Sequence, residues 1–294
     1  MAPNSHMAPW VPMFTQSCKN VKQAFIPFQF ATVAESVDGI PLPKCRTVVF
    51  RDFLFDERKT NVLTFNTDLR SNKVEESFPN GNGTCLFEAC FYFHETWEQY
   101  RFTGECFLVS RKQQAIVSNE TLLRYGIVDP TTFKRSESNS SVSSCSSSDE
   151  GSLPAMVDSL KLDDSKYDNH HDDGEEDIHN TDDGKVPLPT DEEWQQEIMR
   201  QWDTLSRATK SVYKKPAPGE PITEEMKKKI DKIERGVDGS KADYGLDNFA
   251  IVCLCIDKVD YLNLKGGKGG ARWIFERVID ETGFETWEEQ EVCP

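Results

Sequence analysis

Between Phe28 and Ser110 the chain is cut into short apolar strands by turn residues, and this punctuation constrains the fold more than any other feature. Strands are predicted over Phe28–Ala34, Arg46–Phe53, Asn61–Asn66, Thr84–Phe93 and Glu98–Ser110, with Asn80-Gly-Asn-Gly83 as a turn. The spacing is that of a barrel. Two of these stretches carry cations and hydroxyls at their ends. Arg46-Thr-Val-Val-Phe-Arg51 reads as a buried strand between two arginines. In Phe65-Asn-Thr-Asp-Leu-Arg-Ser-Asn-Lys73 a strand from Val62 to Asn66 breaks at Thr67-Asp68 into a helical turn. That break places Ser71, Lys73 and free backbone N–H groups where a phosphate can sit. Arg46 is then positioned to add a second, bidentate charge. The combination suits a flat, phosphorylated cofactor.

The charge is unevenly spread. Ser136 to Lys185 holds 14 acidic residues against 3 lysines, a net of −11, which leaves −5 of the total −16 for everything else. This Ser-rich, Asp-rich segment lacks the apolar residues needed to offset chain entropy and is expected to be a disordered insertion. Ser146, Ser147 and Ser148 precede Asp149-Glu150, a context suited to an acidophilic kinase. The remainder shows no basic stripe of the kind a duplex nucleic-acid binder carries, and no apolar run reaches bilayer length. Nine cysteines, without disulfide-scaffold spacing or a signal-peptide core, point to a reducing compartment, the cytosol with the nucleus as a second location. Residues 1–7 read as a leader outside the fold.

Beyond the insertion, Thr190-Asp-Glu-Glu193 forms a capping box. Trp194, Ile198, Trp202 and Leu205 follow at helical spacing as one apolar stripe. A second helix is marked by Met226, Ile230 and Ile233 and ends at Gly236. Strands return at Phe249–Ile256, Tyr261–Leu264, Arg272–Val278 and Phe284–Val292. Short helices are expected over Lys73–Ser77 and Asn119–Tyr125. Residues 8–135 and 186–294 thus read as two parts of one domain, interrupted by residues 136–185.

Several motifs carry no chemistry of their own. Lys265-Gly-Gly-Lys-Gly-Gly270 lacks the lysine and hydroxyl placement of a nucleotide loop and reads as a hairpin connection. Cys253 and Cys255 alternate onto one strand face without a second ligand pair, so they are expected in the core and no metal site is expected. No Ser-His-Asp or Cys-His nucleophile is supported, because His94 is the only histidine of the predicted fold beyond the leader.

In order and interval, Ala8-Pro-Trp10, Phe28-Gln-Phe-Ala-Thr-Val33, the Arg46–Arg51 strand, Thr67-Asp-Leu-Arg-Ser-Asn-Lys73, Trp97-Glu-Gln-Tyr-Arg-Phe-Thr-Gly104, Trp202 with Leu205-Ser206, and Pro216-Ala-Pro-Gly219 resemble the pyridoxamine 5'-phosphate oxidase-like FMN-binding split barrels, in their fungal and bacterial branch. The resemblance covers most of the chain outside the insertion. It implies a mainly β fold with peripheral helices, a split β-barrel, and FMN as cofactor. It also implies a homodimer with each flavin between protomers.

On this resemblance Arg46, Ser71 and Lys73 contact the flavin phosphate, with Arg70 restoring the charge lost at Asn72. Thr67 and the backbone of Thr47, Val48, Val49 and Phe50 line the ribityl chain and ring. Asn66 takes the place of an aromatic residue, and Gln99 hydrogen-bonds the ring. Arg51 and Asn66 complete the cofactor-binding set, and Arg51 also falls, with Arg272, at the substrate phosphate. The substrate end departs from the family's oxidases, since Ile274 stands where they carry histidine and Glu291 where they carry arginine. The expected function is an FMN-dependent oxidoreductase acting on a small phosphorylated amine or alcohol. A non-catalytic FMN module with a partner-recruiting acidic loop, and a flavin reductase using NAD(P)H, are the alternatives.

Overall fold

In a computed structural model of the protein, the residues described are 6–36, 38–78, 83–112, 117–133, 187–235, 242–265, 269–281 and 285–294. The expected insertion, its serines, most of the leader and most of the Asn80–Gly83 turn lie outside them. So do the centre of the Lys265–Gly270 connection and Gly236.

Helix α1 (Trp10–Asn20) precedes β1 (Ile26–Glu35), β2 (Pro41–Phe53), β3 (Val62–Asp68), helix α2 (Asn72–Ser77), β4 (Cys85–Phe93), β5 (Glu98–Ser110) and helix α3 (Asn119–Arg124). After residue 186 come α4 (Asp191–Asp203), α5 (Arg207–Val212), α6 (Glu224–Glu234), β6 (Phe249–Asn263), β7 (Ala271–Ile279) and β8 (Glu285–Val292). The strands run in the order β3-β2-β1-β4-β5-β6, and β3 pairs again with β6, so six antiparallel strands close into a barrel. β7 and β8 extend the sheet from β6.

The two strands predicted over Phe249–Ile256 and Tyr261–Leu264 are one continuous β6, and closure depends on its length. Its first half pairs with β3 (Val62↔Cys255 to Asp68↔Phe249) and its last third with β7 (Lys258↔Glu276 to Asn263↔Ala271), while β5 stays alongside throughout. Between the two partners the β5–β6 register shifts at Thr103/Gly104. There β6 backbone lies so close that a Cβ on Gly104 would fall on the Cys255 carbonyl oxygen. Glycine is required by this approach, and the bulge bends the strand from one partner to the next.

Alternation sends Phe28, Phe30, Phe65, Phe91 and Phe102 into the barrel, where all are essentially inaccessible. One end is plugged by α1, which the sequence reading did not assign. Phe14 meets Phe91, Phe102, Tyr100 and Phe50 edge-on with centroids 5.0–5.4 Å apart, the geometry aromatic quadrupoles favour. Ser17 ties the plug to β5 through Tyr100 (2.9 Å) and Glu98 (3.0 Å). Outside the barrel, Trp194, Ile198 and Trp202 of α4, with Leu205 just after it, cover a second core against Cys253, Cys255 and Ile251 of β6. The Thr190–Glu193 capping box opens that helix. β2 corrects one expectation. Val48 is buried, but Val49, which alternates onto the outer face, and Phe50, at the start of the β2–β3 bulge, are only half-buried; β3 pairs with β2 only from Phe50 onward and leaves Pro41–Val49 paired on one side.

Gly104→Ala should destabilise the fold by about 1–3 kcal/mol, since the added methyl must part β5 from β6. Urea unfolding reads this as a lowered midpoint. An unchanged midpoint would show that the close approach is not required.

Candidate functional site

At the mouth of the barrel, β2 and the turn between β3 and α2 enclose a cleft of about 370 Å³ lined by Lys44, Arg46, Ser71, Asn72, Lys73, Glu76, Pro218 and Gly219, among others. β3 continues through Thr67 and Asp68 rather than breaking there, and the chain turns at Leu69–Ser71 before α2 begins. The turn is closed by Ser71 N–H to the Asp68 carbonyl (3.0 Å). Lys73 Nζ reaches back to donate to Thr67 Oγ1 and Ser71 Oγ, both at 3.2 Å. Arg46 donates to Thr32 Oγ1 (2.8 Å), to the Lys44 carbonyl (3.2 Å) and to Glu76 Oε2 (2.8 Å), while Lys44 takes the other Glu76 oxygen at 3.0 Å.

The electrostatics of this cleft are unbalanced. Lys44, Arg46 and Lys73 face a single lining carboxylate, Glu76, which leaves two positive charges. Among the described residues Lys73 donates to hydroxyls alone, and its pKa is lowered, first by burial and then by the Arg46 charge, against the smaller opposing pull of Asp68 and Glu76. A lysine whose pKa falls on folding costs stability wherever it stays protonated below its folded pKa, and the cost disappears as pH rises toward the unfolded value. At neutral pH the cleft therefore holds a penalised ammonium that an anion would relieve. A phosphate group carrying up to two negative charges cancels the excess.

The other predicted residues fall elsewhere. Arg70, expected to restore charge at Asn72, instead forks onto Asp68 (3.0 and 2.7 Å) and donates to the Tyr213 carbonyl, and it does not line the cleft. The reason is local: Asp68, two residues away, is a nearer counterion than any ligand. Thr47 and Val49 alternate onto the outer face of β2, and Arg51 is the exposed extra residue of the Phe50/Asp52 bulge. Asn66 shares a β3 face with Thr64; both polar atoms of its amide are buried with no hydrogen-bond partner. Such orphaned groups are expensive and mark a place where a ligand group is expected. Gln99 lies on β5, opposite Tyr92 and Leu262, three strands round the barrel from β2 in either direction. Arg272, on β7, is forked onto Asp260 at 2.9 and 2.8 Å. One protomer thus brings Arg46, Thr67, Ser71 and Lys73 together and leaves Gln99 and Arg272 apart from them.

Lys44, Glu76, Pro218 and Gly219 were not foreseen as site residues. Lys44 was accessible in principle, being two residues before Arg46 on the same strand face. Gly219 closes the cleft from the chain after α5. Its φ of +93° is natural only for glycine, and a Cβ there would press on Asn72 Oδ1 at 3.1 Å. Among the described residues no group of three or more His, Cys, Asp or Glu is arranged to hold a metal, and no helix is long and apolar enough to cross a membrane.

Residues 7–110, which include β1 to β5 and most of this cleft, match the family "Pyridoxamine 5'-phosphate oxidase, FMN-binding domain". An uncharacterised protein of Saccharomyces cerevisiae is 49% identical over 98% of this chain and 99% of its own. Pyridoxine/pyridoxamine 5'-phosphate oxidase 2 of Arabidopsis thaliana is 24% identical over 86% of this chain and 81% of its own. Among solved structures, a pyridoxamine 5'-phosphate oxidase-related, FMN-binding protein of Nostoc punctiforme aligns over 99% of this chain and all of its own, with a TM-score of 0.57 at 20% identity. PhzG of Burkholderia lata, solved with tetrahydrophenazine-1-carboxylic acid, aligns over 99% of this chain and 95% of its own, with a TM-score of 0.51 at 12% identity. These last two show the shared fold. With the sequence match over the cleft-forming strands and the full-length yeast relative, they establish that the chain belongs to the pyridoxamine 5'-phosphate oxidase-like FMN-binding family, whose cofactor is FMN.

Proposed function

We propose that the cleft seats the phosphate of FMN and that the chain is a flavin-dependent oxidoreductase for a small amine or alcohol. The observation that carries the cofactor assignment is the excess of two positive charges around Lys73, which a phosphate dianion neutralises. In this reading Arg46, Lys73 and Ser71 hold the phosphate and Thr67 the adjoining hydroxyls. The outer face of β2 from Thr47 to Arg51 backs the ring, and the unpartnered Asn66 amide gains a hydrogen-bonding edge. When bound, the flavin supplies two-electron chemistry, accepting hydride equivalents from a carbon beside nitrogen or oxygen. The protein's part is to orient the ring and to set the charge around it.

The Arabidopsis relative's name favours a phosphorylated pyridoxine or pyridoxamine as substrate. A specific observation favours the second reading, a flavin-holding module without that turnover. Arg272 is already neutralised by Asp260, and its neighbour on the same face, Ile274, offers no proton-carrying group. Glu291, opposite Trp273 on β8, adds further negative charge near that end of the sheet. Mixing the FMN-loaded protein anaerobically with pyridoxamine phosphate, pyridoxine phosphate or NADPH separates the two. Bleaching of the flavin by a phosphorylated substrate supports the oxidase reading; bleaching by NADPH alone makes the chain a flavin reductase, and no bleaching leaves the binding module.

We further propose a homodimer with shared sites. The support is that Gln99 lies on the barrel wall opposite β2, so a cofactor on the outer face of β2 meets such a residue only from a second copy. The same outer sheet surface exposes Val33, Leu86 and Tyr92 at 62%, 73% and 55%, an apolar load a second copy would cover. Sedimentation at micromolar protein should give the dimer mass; a flavin-loaded monomer would contradict the shared site.

Lys73→Met should weaken FMN binding by about 100-fold or more, on the order of 3 kcal/mol for removing one partner of a half-buried ion pair. The apo variant should unfold at the same or a higher urea midpoint, because the penalised ammonium is gone. Fluorescence titration together with urea unfolding checks both halves. Unchanged FMN affinity would remove Lys73 from the site.

A further inference from the structure

Cys85, the first residue of β4, stands directly opposite Cys106 of β5 in the antiparallel register. Cross-strand partners place their Cβ atoms roughly 4.5–5.5 Å apart, and a disulfide takes about 3.8 Å, so a slight approach of the two strand ends suffices to join them. Both side chains belong to the barrel core, Cys106 fully buried and Cys85 partly open at the mouth. We propose that Cys85 and Cys106 form an oxidisable dithiol, a modification site for hydroperoxides that is wired to the anion cleft.

The wiring runs through short polar contacts. Cys85, whose thiol donates to the Leu86 carbonyl at 3.3 Å, has its thiolate favoured by Ser77, the last residue of the helix that carries Lys73 and Glu76. Ser77 Oγ donates to Thr32 Oγ1 at 3.4 Å, and the same Thr32 oxygen receives Arg46 at 2.8 Å. The Cys85 thiol is held below its usual pKa by a hydrogen bond from Cys106, then by Ser77 and the Arg46 charge, against the opposing effect of burial. Burial pushes the Cys106, Cys253 and Cys255 thiols well up, and those of Cys18 and Cys90 up as well. Cys85 is thus the attacking thiol of the pair and Cys106 the resolving one.

The reaction balances with a hydroperoxide as oxidant. The Cys85 thiolate attacks a peroxide oxygen; the S–O bond forms, the O–O bond breaks, and the leaving oxygen is protonated to water when the peroxide is hydrogen peroxide. The Cys106 sulfur then attacks Cys85 sulfur; the S–S bond forms, the S–O bond breaks, and the departing hydroxide leaves as water with the Cys106 proton. Two thiols lose two electrons and one peroxide gains them.

The test treats full-length protein with stoichiometric hydrogen peroxide, blocks remaining thiols with N-ethylmaleimide, and maps peptides without reduction. The expected product is a Cys85–Cys106 cross-linked peptide pair, formed before the exposed Cys45 and Cys293 are consumed and reversed by dithiothreitol. In Cys106→Ser the cross-link disappears and Cys85 is trapped by dimedone as the sulfenic acid. Oxidation of Cys45 or Cys293 while Cys85 stays alkylatable would overturn the site. The coupling rests on the flavin reading. Cross-linked protein should bind FMN at least about threefold differently from reduced protein, and equal affinity of the two forms would overturn the coupling. Failure of both forms to bind FMN would count against the flavin reading and the coupling, while the peptide map alone decides the dithiol.

Discussion

The structure depends on one close approach, the passage of β6 backbone past Gly104. Because no side chain intervenes there, β6 stays on β5 along its whole length while its other edge changes partner, from β3 to β7. The first pairing closes six strands into a barrel, leaving Pro41–Val49 of β2 paired on one side. The second carries β7 and β8 outward. β6 therefore joins the part of the chain before residue 134 to the part after 186, and it holds β3 in place. From the end of β3 come the Asp68–Ser71 turn and the helix carrying Lys73 and Glu76.

What the barrel positions is an electrostatic debt. Burying Lys73 against two hydroxyls, beside Arg46 and Lys44 with Glu76 as the one lining carboxylate, makes no sense as a device for stability, since desolvation of an ammonium is repaid only by a well-placed negative charge. Structural ion pairs elsewhere look different. Arg70 on Asp68, Arg272 on Asp260 and Arg200 between Asp52 and Glu197 each have their carboxylate in contact. Among the described residues the cleft combines half-burial with an excess of cations over lining carboxylates, and the orphaned Asn66 amide on the adjoining strand is its polar counterpart. Unbalanced groups on a rigid frame belong to a site prepared for a ligand.

Much of this was legible in the sequence. β5 appears from Glu98 to Ser110 as predicted, since Tyr100 and Phe102 alternate with polar residues and the apolar run Cys106–Val109 follows, and the capping box at Thr190 opens its helix as its chemistry requires. Arg46, Ser71 and Lys73 converge as the strand ends suggested. The failures have physical causes. In the sequence β6 reads as two strands because Asp257-Lys258 interrupts its apolar run, yet that interruption is where the strand leaves one partner for the next. The helix at Trp10 has no side-chain cap and no acidic first turn, and it is stabilised chiefly by the rings its Phe14 meets inside the barrel, which no local pattern reveals. Arg70 falls outside the cleft lining because Asp68, two residues away, takes its guanidinium, and Glu76 carries no local mark because its place beside Arg46 depends on how α2 packs.

The account's central claim is that the cleft exists to take a phosphate, and the ligand itself offers the cleanest probe. FMN and riboflavin differ only in that group, so their dissociation constants for the wild-type protein measure what the cleft contributes without altering a residue. The account predicts that FMN binds at least about 100-fold more tightly than riboflavin, as charge-assisted contacts to a desolvated dianion require, with the difference shrinking as salt rises. Equal affinity for the two flavins would contradict it.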